Sequence, residues 1–175
     1  MSKNNINNAH CYWVTGLSGS GKTTISGLLK NKLNSEGIPT IQLDGDILRK
    51  VFNSKVYSYE ERKDLGFQYS ILCQLLINQG ISVVIGVIGL FHDLHSWNRK
   101  NIPNYVEIFL DTPLDELKRR DTKKIYKDFD DGKMKNVVGV DIQVEFPIFP
   151  DIKVTWDETK NIESTFKEIL SKLKT

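Results

Sequence analysis

The feature that most constrains this chain is a glycine-rich segment, GLSGSGKTT, at residues 16–24. The apolar run CYWVT at 11–15 precedes it, and a helical pattern with one apolar face follows from Lys22 to about Ser35. A strand, a glycine-rich turn and a helix N-terminus in this order direct backbone N–H groups toward a phosphate. The context therefore favours a phosphate-binding loop over a glycine-rich turn without a ligand.

The remaining sequence alternates strand patterns with helix patterns, which is typical of an α/β fold. We predict a single domain over residues 1–175: a three-layer P-loop NTPase fold with a five-stranded, mainly parallel sheet flanked by helices. The further predicted strands are 40–43, 81–88, 105–110 and 152–155, and the further helices are 60–79, one starting at 112–115 with Thr112 as its cap, and 161–173. The apolar face of the 60–79 helix consists of Leu65, Tyr69, Leu72 and Leu76.

Composition and charge argue against several classes of protein. The net charge of +2 is too small for a general nucleic-acid binder. The polar tail at 1–10 lacks the apolar core of a signal peptide, and the longest apolar run, 81–91, is too short to span a membrane. We therefore predict a cytoplasmic protein without nucleic-acid or membrane partners. Cys11 and Cys73 are then buried thiols rather than a disulfide or a reactive pair.

Residues 121–150 differ from the rest because they are polar and rich in Lys and Asp. We predict a long mobile loop there, since long loops in compact domains are usually functional or disordered. Its lysines fit a lid that neutralises charge beside a phosphoryl-transfer site, or alternatively a solvated face. The histidines His10, His92 and His95 have no metal-ligand spacing and are expected at the surface.

The glycine-rich loop matches the pattern G-x-x-x-x-G-K-[ST]. In this pattern Lys22 reaches the β- and γ-phosphates of ATP, and the hydroxyl of Thr23 ligates Mg²⁺. The loop therefore predicts an enzyme that uses ATP and Mg²⁺. The other predicted contacts of the nucleotide are Gly16, Ser18, Gly19, Ser20, Gly21 and Thr24.

Two carboxylates, Asp44 and Asp46, follow the second predicted strand, at the edge where ligands bind in open α/β sheets. The third strand ends without an acid, so this pair is the best source of a carboxylate for Mg²⁺ and of a base for an acceptor hydroxyl. A capped turn is the alternative, because Asp-Gly is turn chemistry. Arg49 and Arg62 are candidates for binding an anionic acceptor or, alternatively, solvated helix charges.

Taken together, these motifs resemble the adenylylsulfate (APS) kinase family. WVTGLSGSGKTT (13–24) is similar to the family's P-loop, and LDGDILR (43–49) to its Asp-Gly-Asp motif with the following Arg. EIFLDTPLDELKRRD (107–121) resembles its fourth strand and helix. Further matches are YSYEER (57–62), the lid stretch KKIYKDFDDGKMKNVVGVD (123–141) and VEFPIFPDI (144–152).

The resemblance implies transfer of the γ-phosphoryl group of ATP to the ribose 3′-hydroxyl of adenosine 5′-phosphosulfate. It implies that Asp46 is the base and that Asp44 supports it or the metal shell. It also implies that Arg49 and Arg62 hold the anionic end of the acceptor. Dimers are common in the family, so a homodimer is expected for this chain by analogy only.

Further site residues are implied by the resemblance alone. Arg120 and Pro147 lie where the family clamps the adenine of ATP. Contacts with the acceptor or from the lid are implied for Tyr57, Ile88, Lys123, Lys127 and Val137.

The departures from the family pattern lie on the acceptor side. The family brackets the acceptor's adenine with two phenylalanines, where this chain has Tyr57 and Val137. Leu65 replaces an Asn, and Gly89 replaces a serine that is sometimes described as a phosphorylated intermediate. Such changes beside an intact ATP side are expected when the nucleotide acceptor changes.

We therefore predict a kinase for the 3′-hydroxyl of a nucleotide with an anionic 5′ substituent. APS, the acceptor of sulfate assimilation, is the first candidate, and the alternative is another nucleotide, such as the cytidine diphosphoramidate of bacterial capsule pathways. A non-catalytic nucleotide switch is disfavoured because Lys22, Asp44 and Asp46 are all present and an N-K-x-D motif is absent. The family-like lid also disfavours a kinase for a small non-nucleotide hydroxyl.

Overall fold

A computed structural model describes residues 8–54 and 58–173 of the chain. Its strands are β1 (Cys11–Thr15), β2 (Thr40–Asp44), β3 (Ser82–Gly86), β4 (Tyr105–Asp111) and β5 (Ile152–Thr155). They form one sheet in the order β2-β3-β1-β4-β5, and all four neighbouring pairs are parallel. The predicted α/β fold with a parallel five-stranded sheet is therefore confirmed.

Helices connect and cover these strands. Four of them were expected from the sequence: α1 (Lys22–Ser35), α3 (Tyr59–Ile77), α5 (Leu114–Arg120) and α7 (Ile162–Leu173). Three more, which the sequence patterns did not predict, are α2 (Gly45–Val51), α4 (His92–Asn101) and α6 (Ile125–Asp130). In the described part of the chain, no helix has the length and apolar character needed to cross a membrane.

The two faces of the sheet are buried against different helices. Along β1, Cys11 and Trp13 face a core that includes α3 and α4, while Tyr12 and Val14 face a core that includes α1 and α7. This alternation follows from the two-residue period of a strand. Because both faces are covered, the central strands consist mostly of apolar residues, which is expected for the three-layer arrangement that the sequence predicts.

Two further predictions concern buried groups near the sheet. Cys11 and Cys73 are both buried and free, as predicted. His95 was expected at the surface, and that prediction is wrong: the residue is only 6% exposed. It lies on the inner face of α4, where its ring Nε2 is 2.7 Å from the carbonyl oxygen of Gly89.

The start of α5 differs by one residue from the prediction. Pro113, rather than Thr112, is the N-cap, and among the described residues no side-chain hydrogen bond caps this end of the helix. Pro113 has φ −58° and ψ 144°, so its fixed φ is combined with an extended ψ before the first helical residue.

The lid at 121–150 is not the continuous loop that the sequence predicts. It contains helix α6, whose Tyr126 is buried. A tight turn follows, in which the Asp141 carboxylate accepts hydrogen bonds from the backbone N–H groups of Asn136 and Val137. These local hydrogen bonds order the turn, which could not be predicted from composition alone. The mobility of the lid stays a prediction.

Candidate active site

The loop between β1 and α1 has the geometry of a phosphate cradle. Gly21 is the N-cap of α1 with a φ of 95°, a conformation that favours glycine. At Gly16, a Cβ atom would lie 2.7 Å from the carbonyl oxygen of Leu110, so this position has no space for a side chain. The Ser20 hydroxyl is buried without a hydrogen-bond partner among the described residues. A phosphate oxygen at the loop would satisfy such a group, so the loop fits ATP.

Lys22 extends from the first turn of α1 back over the loop. Its Nζ donates a 2.7 Å hydrogen bond to the carbonyl oxygen of Leu17. Burial lowers the pKa of Lys22 to about 7, and the positive charge of Lys123 acts in the same direction. An anionic phosphate beside Nζ would favour the charged ammonium, so binding of a phosphate should raise the pKa of Lys22 again.

A short hydrogen-bonded path joins the loop to the carboxyl end of β2. The Thr23 hydroxyl donates a 2.6 Å hydrogen bond to Asp44 Oδ2, and Asp44 Oδ1 accepts a 2.8 Å bond from the backbone N–H of Asp46. Asp44 therefore caps α2 as well as contacting the P-loop, so the capped turn, which was the alternative interpretation of this pair, is present, while the role of Asp44 beside the metal stays a prediction. A hydroxyl and a carboxylate are oxygen ligands of the kind that Mg²⁺ prefers.

The magnesium ligands that the protein itself could supply are few. No group of three or more His, Cys, Asp or Glu side chains is arranged to hold a metal ion within residues 8–54 and 58–173. Mg²⁺ in phosphoryl-transfer sites is typically held by one or two carboxylates together with substrate phosphates and water. The pairing of Thr23 with Asp44 fits that chemistry.

Asp46 is the point where the acceptor side and the lid meet. Its two carboxylate oxygens contact Arg49 of α2 and Lys123 of the lid, one cation on each oxygen. Partial burial acts to raise the pKa of Asp46, but the hydrogen bond from Lys123 and the charge of Arg49 outweigh it and hold the pKa below its ordinary value. Asp46 is thus a carboxylate throughout the physiological range.

Beside this cluster lies a pocket that we call the acceptor pocket. It encloses about 590 Å³ of space, part of which is open to solvent. The predicted residues Arg49, Arg62 and Ile88 line it, and Arg62 also donates a 3.0 Å hydrogen bond to the carbonyl oxygen of Asn136 in the lid. The remaining lining residues are Leu65, Gly66, Tyr69, Val87, Gly89, Leu90, Phe91, Val138, Ile142 and Gln143.

Some residues expected at the acceptor are found elsewhere. Val137 is 4% exposed and packs in a core cluster that includes Leu17 and Leu90, so it does not line the acceptor pocket. The pocket is lined instead by the next residue, Val138. Lys127 lies on α6, where its backbone N–H donates a 2.9 Å hydrogen bond to Asp121. Tyr57 lies outside the described residues.

A second groove lies on the ATP side of the loop. Arg120 lines it together with Ser20 and Gly21, and its guanidinium is held by a 2.6 Å hydrogen bond from Nε to Glu116. Pro147 is not among the residues that line this groove. The other lining residues are Ile25, Leu110, Thr112, Val154, Thr155, Trp156, Asp157, Lys160, Asn161, Ile162 and Thr165.

Among the side chains that line these clefts, Tyr69, Gln143 and Trp156 were not predicted as site residues. Tyr69 and Gln143 line the acceptor pocket, and Trp156 lines the groove of Arg120. The helical pattern places Tyr69 on the apolar face of its helix and so predicts a core residue. Its polar hydroxyl is the only feature in the sequence that indicates a role besides packing. Gln143 and Trp156 carry no signal in a single sequence, since the turns that bring them to the clefts are not periodic.

Comparisons with known proteins identify the family to which the sequence is similar. A family model described as adenylylsulphate kinase matches residues 8–155. The chain is 35% identical over 167 residues to the cytidine diphosphoramidate kinase of Campylobacter jejuni, covering 95% of this chain and 98% of that protein. It is 35% identical over 162 residues to the adenylyl-sulfate kinase of Rippkaea orientalis, covering 92% of this chain and 89% of that protein.

The fold comparison leads to the same family. The solved structure of a Mycobacterium tuberculosis APS kinase, in complex with AMPPNP and APS, matches with a TM-score of 0.87 at 30% identity and covers 95% of this chain. The match also covers 98% of the chain in that solved structure. The fold and the phosphate-binding loop define a P-loop kinase, a phosphotransferase. Within that class, the chain belongs to the adenylylsulphate kinase family.

Proposed function

We propose that this protein transfers the γ-phosphoryl group of ATP to the ribose 3′-hydroxyl of a nucleotide with an anionic 5′ substituent. The observation that carries the proposal is the position of Asp46. Its carboxylate contacts Arg49 from the acceptor pocket and Lys123 from the lid, and its charge affects the pKa of Lys22. A hydroxyl bound beside Asp46 would therefore be close to both phosphate-binding cations and the acceptor pocket.

The proposed reaction forms a bond between the acceptor 3′-oxygen and the γ-phosphorus and breaks the bond from that phosphorus to the β-phosphate bridging oxygen. Asp46 orients the hydroxyl and accepts its proton, which then passes to solvent. Because phosphoryl transfer has a loose transition state, a carboxylate with a lowered pKa is a sufficient proton acceptor. Lys22 and Lys123 stabilise the negative charge on the transferred group and on the departing ADP.

The two aspartates have different proposed roles. Asp44 already binds Thr23 and the α2 backbone with its two oxygens, so it supports the Mg²⁺ shell rather than the acceptor. Asp46 is 45% exposed in its side chain and contacts two partly exposed cations, Arg49 and Lys123, which an entering substrate can displace. The Mg²⁺ ion would supply charge neutralisation between the β- and γ-phosphates. The Arg120 groove is the proposed site of the ATP base.

APS is the first candidate acceptor, because members of the matched family are named for it. Cytidine diphosphoramidate is the second, and two observations favour keeping it. The Campylobacter relative carries that activity in its name. In addition, Leu65 lines the acceptor pocket where the family has an Asn, and Val137 is buried in the core where the family has a phenylalanine against the acceptor's adenine.

The test is a coupled assay of ADP release with purified protein, Mg²⁺ and ATP, comparing APS with cytidine diphosphoramidate at matched micromolar concentrations. A preference for APS makes this a sulfate-activating enzyme, and a preference for the cytidylyl acceptor assigns it to nucleotide modification of the capsule type. Asp46→Asn should still bind ATP but lose turnover by a factor of about 100 or more. Turnover of neither acceptor, or full activity of Asp46→Asn, would contradict the proposal.

The proposed setting is the cytoplasm, where ATP is available and the buried thiols of Cys11 and Cys73 stay reduced. The proposed partners are the two nucleotides, with no nucleic acid and no membrane. A homodimer is proposed by analogy with the family, and sedimentation of the purified protein tests it.

A further inference from the structure

Tyr69 is a buried tyrosine whose hydroxyl has no hydrogen-bond partner in the described structure. It lies on α3, is 4% exposed and lines the acceptor pocket. Among residues 8–54 and 58–173, no atom accepts from or donates to its hydroxyl oxygen. A buried polar group without a partner is uncommon in folded proteins and calls for an explanation, of which a missing ligand is one.

The ring of Tyr69 is fixed by packing rather than by its hydroxyl. It contacts the ring of Phe52 at a centroid distance of 5.8 Å and an interplanar angle of 49°, and it belongs to the core cluster on one face of the sheet. Within the described part of the chain the hydroxyl therefore makes no hydrogen bond, whereas the apolar ring contributes packing. A phenylalanine would fold equally well at this position, so the hydroxyl needs a separate explanation.

The surroundings of Tyr69 are cationic. Arg49 and Arg62 line the same pocket, and both guanidinium groups can only donate hydrogen bonds. Burial raises the pKa of Tyr69 to about 12, the charge of Arg49 acts to lower it and the charge of Asp46 acts to raise it, so the phenol keeps its proton and can donate as well. Gln143 also lines the pocket and can donate or accept, but Arg49, Arg62 and Tyr69 offer donors, and a lining in which donors predominate fits an oxyanion better than a base edge.

We propose that the Tyr69 hydroxyl donates a hydrogen bond to the anionic 5′ substituent of the acceptor, as a third donor beside Arg49 and Arg62. This inference rests on the proposed function and adds a specificity-determining residue to it. A nucleotide with the 5′ anion gives the hydroxyl a partner, whereas one without it leaves the hydroxyl unpaired. Tyr69 thus favours acceptors that carry the 5′ anion and does not discriminate between bases.

The test compares wild-type protein with Tyr69→Phe, which removes one oxygen atom and keeps the ring. The dissociation constants of APS and of cytidine diphosphoramidate are measured by titration calorimetry, and KM and kcat are measured for the acceptor that turns over. We expect acceptor binding to weaken about tenfold, kcat and the KM for ATP to stay within about twofold, and the thermal midpoint to stay equal or rise. Tyr12→Phe, on the opposite face of the sheet, is the control and should match the wild type.

A second arm identifies the part of the acceptor that the hydroxyl contacts. Inhibition constants are measured for the matching nucleoside, adenosine or cytidine, which lacks the 5′ anion. We expect Tyr69→Phe to leave nucleoside binding unchanged, so the tenfold loss appears only with the nucleotide. An equal loss for nucleoside and nucleotide, no loss for either, or a lowered thermal midpoint that accounts for the change would overturn the inference.

The two proposals fail in different ways. If the wild-type protein binds an acceptor but does not phosphorylate it, the proposed function fails, and the binding arms still decide the role of Tyr69. If the wild-type protein binds neither acceptor, the role of Tyr69 is overturned as well.

Discussion

The hydroxyl of Thr23 donates a 2.6 Å hydrogen bond to the carboxylate of Asp44, which joins the P-loop to the carboxyl end of β2. Because Asp44 also caps α2, the position of the loop threonine is coupled to the start of the helix that carries Asp46 and Arg49. The ATP side and the acceptor side of the site are therefore connected through one aspartate. A change at Asp44 that keeps the α2 cap should therefore affect the metal more than the acceptor pocket.

Asp44→Asn should lower kcat about 100-fold and shift the half-saturating Mg²⁺ concentration upward. The amide keeps one acceptor oxygen for the α2 cap, while its NH2 group replaces the oxygen that accepts from the Thr23 hydroxyl, and the negative charge that supports Mg²⁺ is lost. Steady-state rates over a Mg²⁺ titration measure this, with Asp64→Asn on the exposed side of α3 as the control. A Mg²⁺ dependence identical to that of the wild type would remove Asp44 from the metal shell.

Lys123→Ala should reduce kcat about 100-fold, because the lid then no longer supplies a cation beside Asp46 and the transferred phosphoryl group. Affinity for ATP in the absence of acceptor should change little. Lys133→Ala is a matched control, since Lys133 belongs to the same lid but pairs with Asp131. If both variants lost activity equally, a general effect of lid charge would replace the specific contact of Lys123.

Binding of ATP at pH 8 should take up a proton at Lys22. With a pKa of about 7 in the ligand-free protein, about nine-tenths of Lys22 is neutral at that pH, and the triphosphate raises its pKa by favouring the ammonium. Calorimetry in buffers of different ionisation enthalpy measures the uptake. Lys22→Arg should bind ATP without it, because a guanidinium stays charged. Equal uptake in both proteins would assign the proton to another group.

His95 should make the protein less stable in mild acid. Burial lowers its pKa to about 4, whereas in the unfolded chain it titrates near 6.5. As the pH falls from 6.5 to 4, the unfolded state takes up the proton first, so the free energy of unfolding decreases, by up to about 3 kcal/mol. Above pH 6.5 the residue contributes no pH dependence. The neighbouring Glu107 has a pKa raised by burial and acts with the opposite sign.

The measurement for His95 is urea unfolding between pH 7 and pH 4.5 for the wild type and for His95→Gln. The glutamine amide can still donate to the Gly89 carbonyl but does not titrate, and Glu107 is common to both proteins. The stability of the wild type should therefore fall relative to the variant as the pH is lowered. Parallel curves would show that His95 does not have the lowered pKa.

The sequence specifies this fold best where local and long-range signals agree. The glycine-rich loop lies between a buried strand and an amphipathic helix, so β1 and α1 could be predicted together, while the roles of the loop residues stay predictions. Helices α2 and α4 were missed for physical reasons. Helix α2 begins at Asp-Gly, which is also turn chemistry, and α4 is polar with few apolar residues to mark its buried side.

The acceptor pocket could be predicted less well than the P-loop. It is built from α2, α3, the segment after β3 and the lid turn, whose relative positions depend on tertiary packing. The turn in the lid is an example. The hydrogen bonds of Asp141 hold this turn in a conformation in which Val137 packs in the core and Val138 lines the pocket. A one-residue difference of this kind cannot be read from residue types, since both positions are valine.

Transfer of labelled phosphate from [γ-³²P]ATP to the preferred acceptor, compared with the 3′-deoxy analogue of that acceptor, tests whether this protein is a nucleotide 3′-kinase. We predict that the label appears in the acceptor, depends on Asp46, and is absent when the 3′-hydroxyl is replaced by hydrogen. Equal labelling of the 3′-deoxy analogue, or release of the label only as free phosphate, would contradict the proposed function.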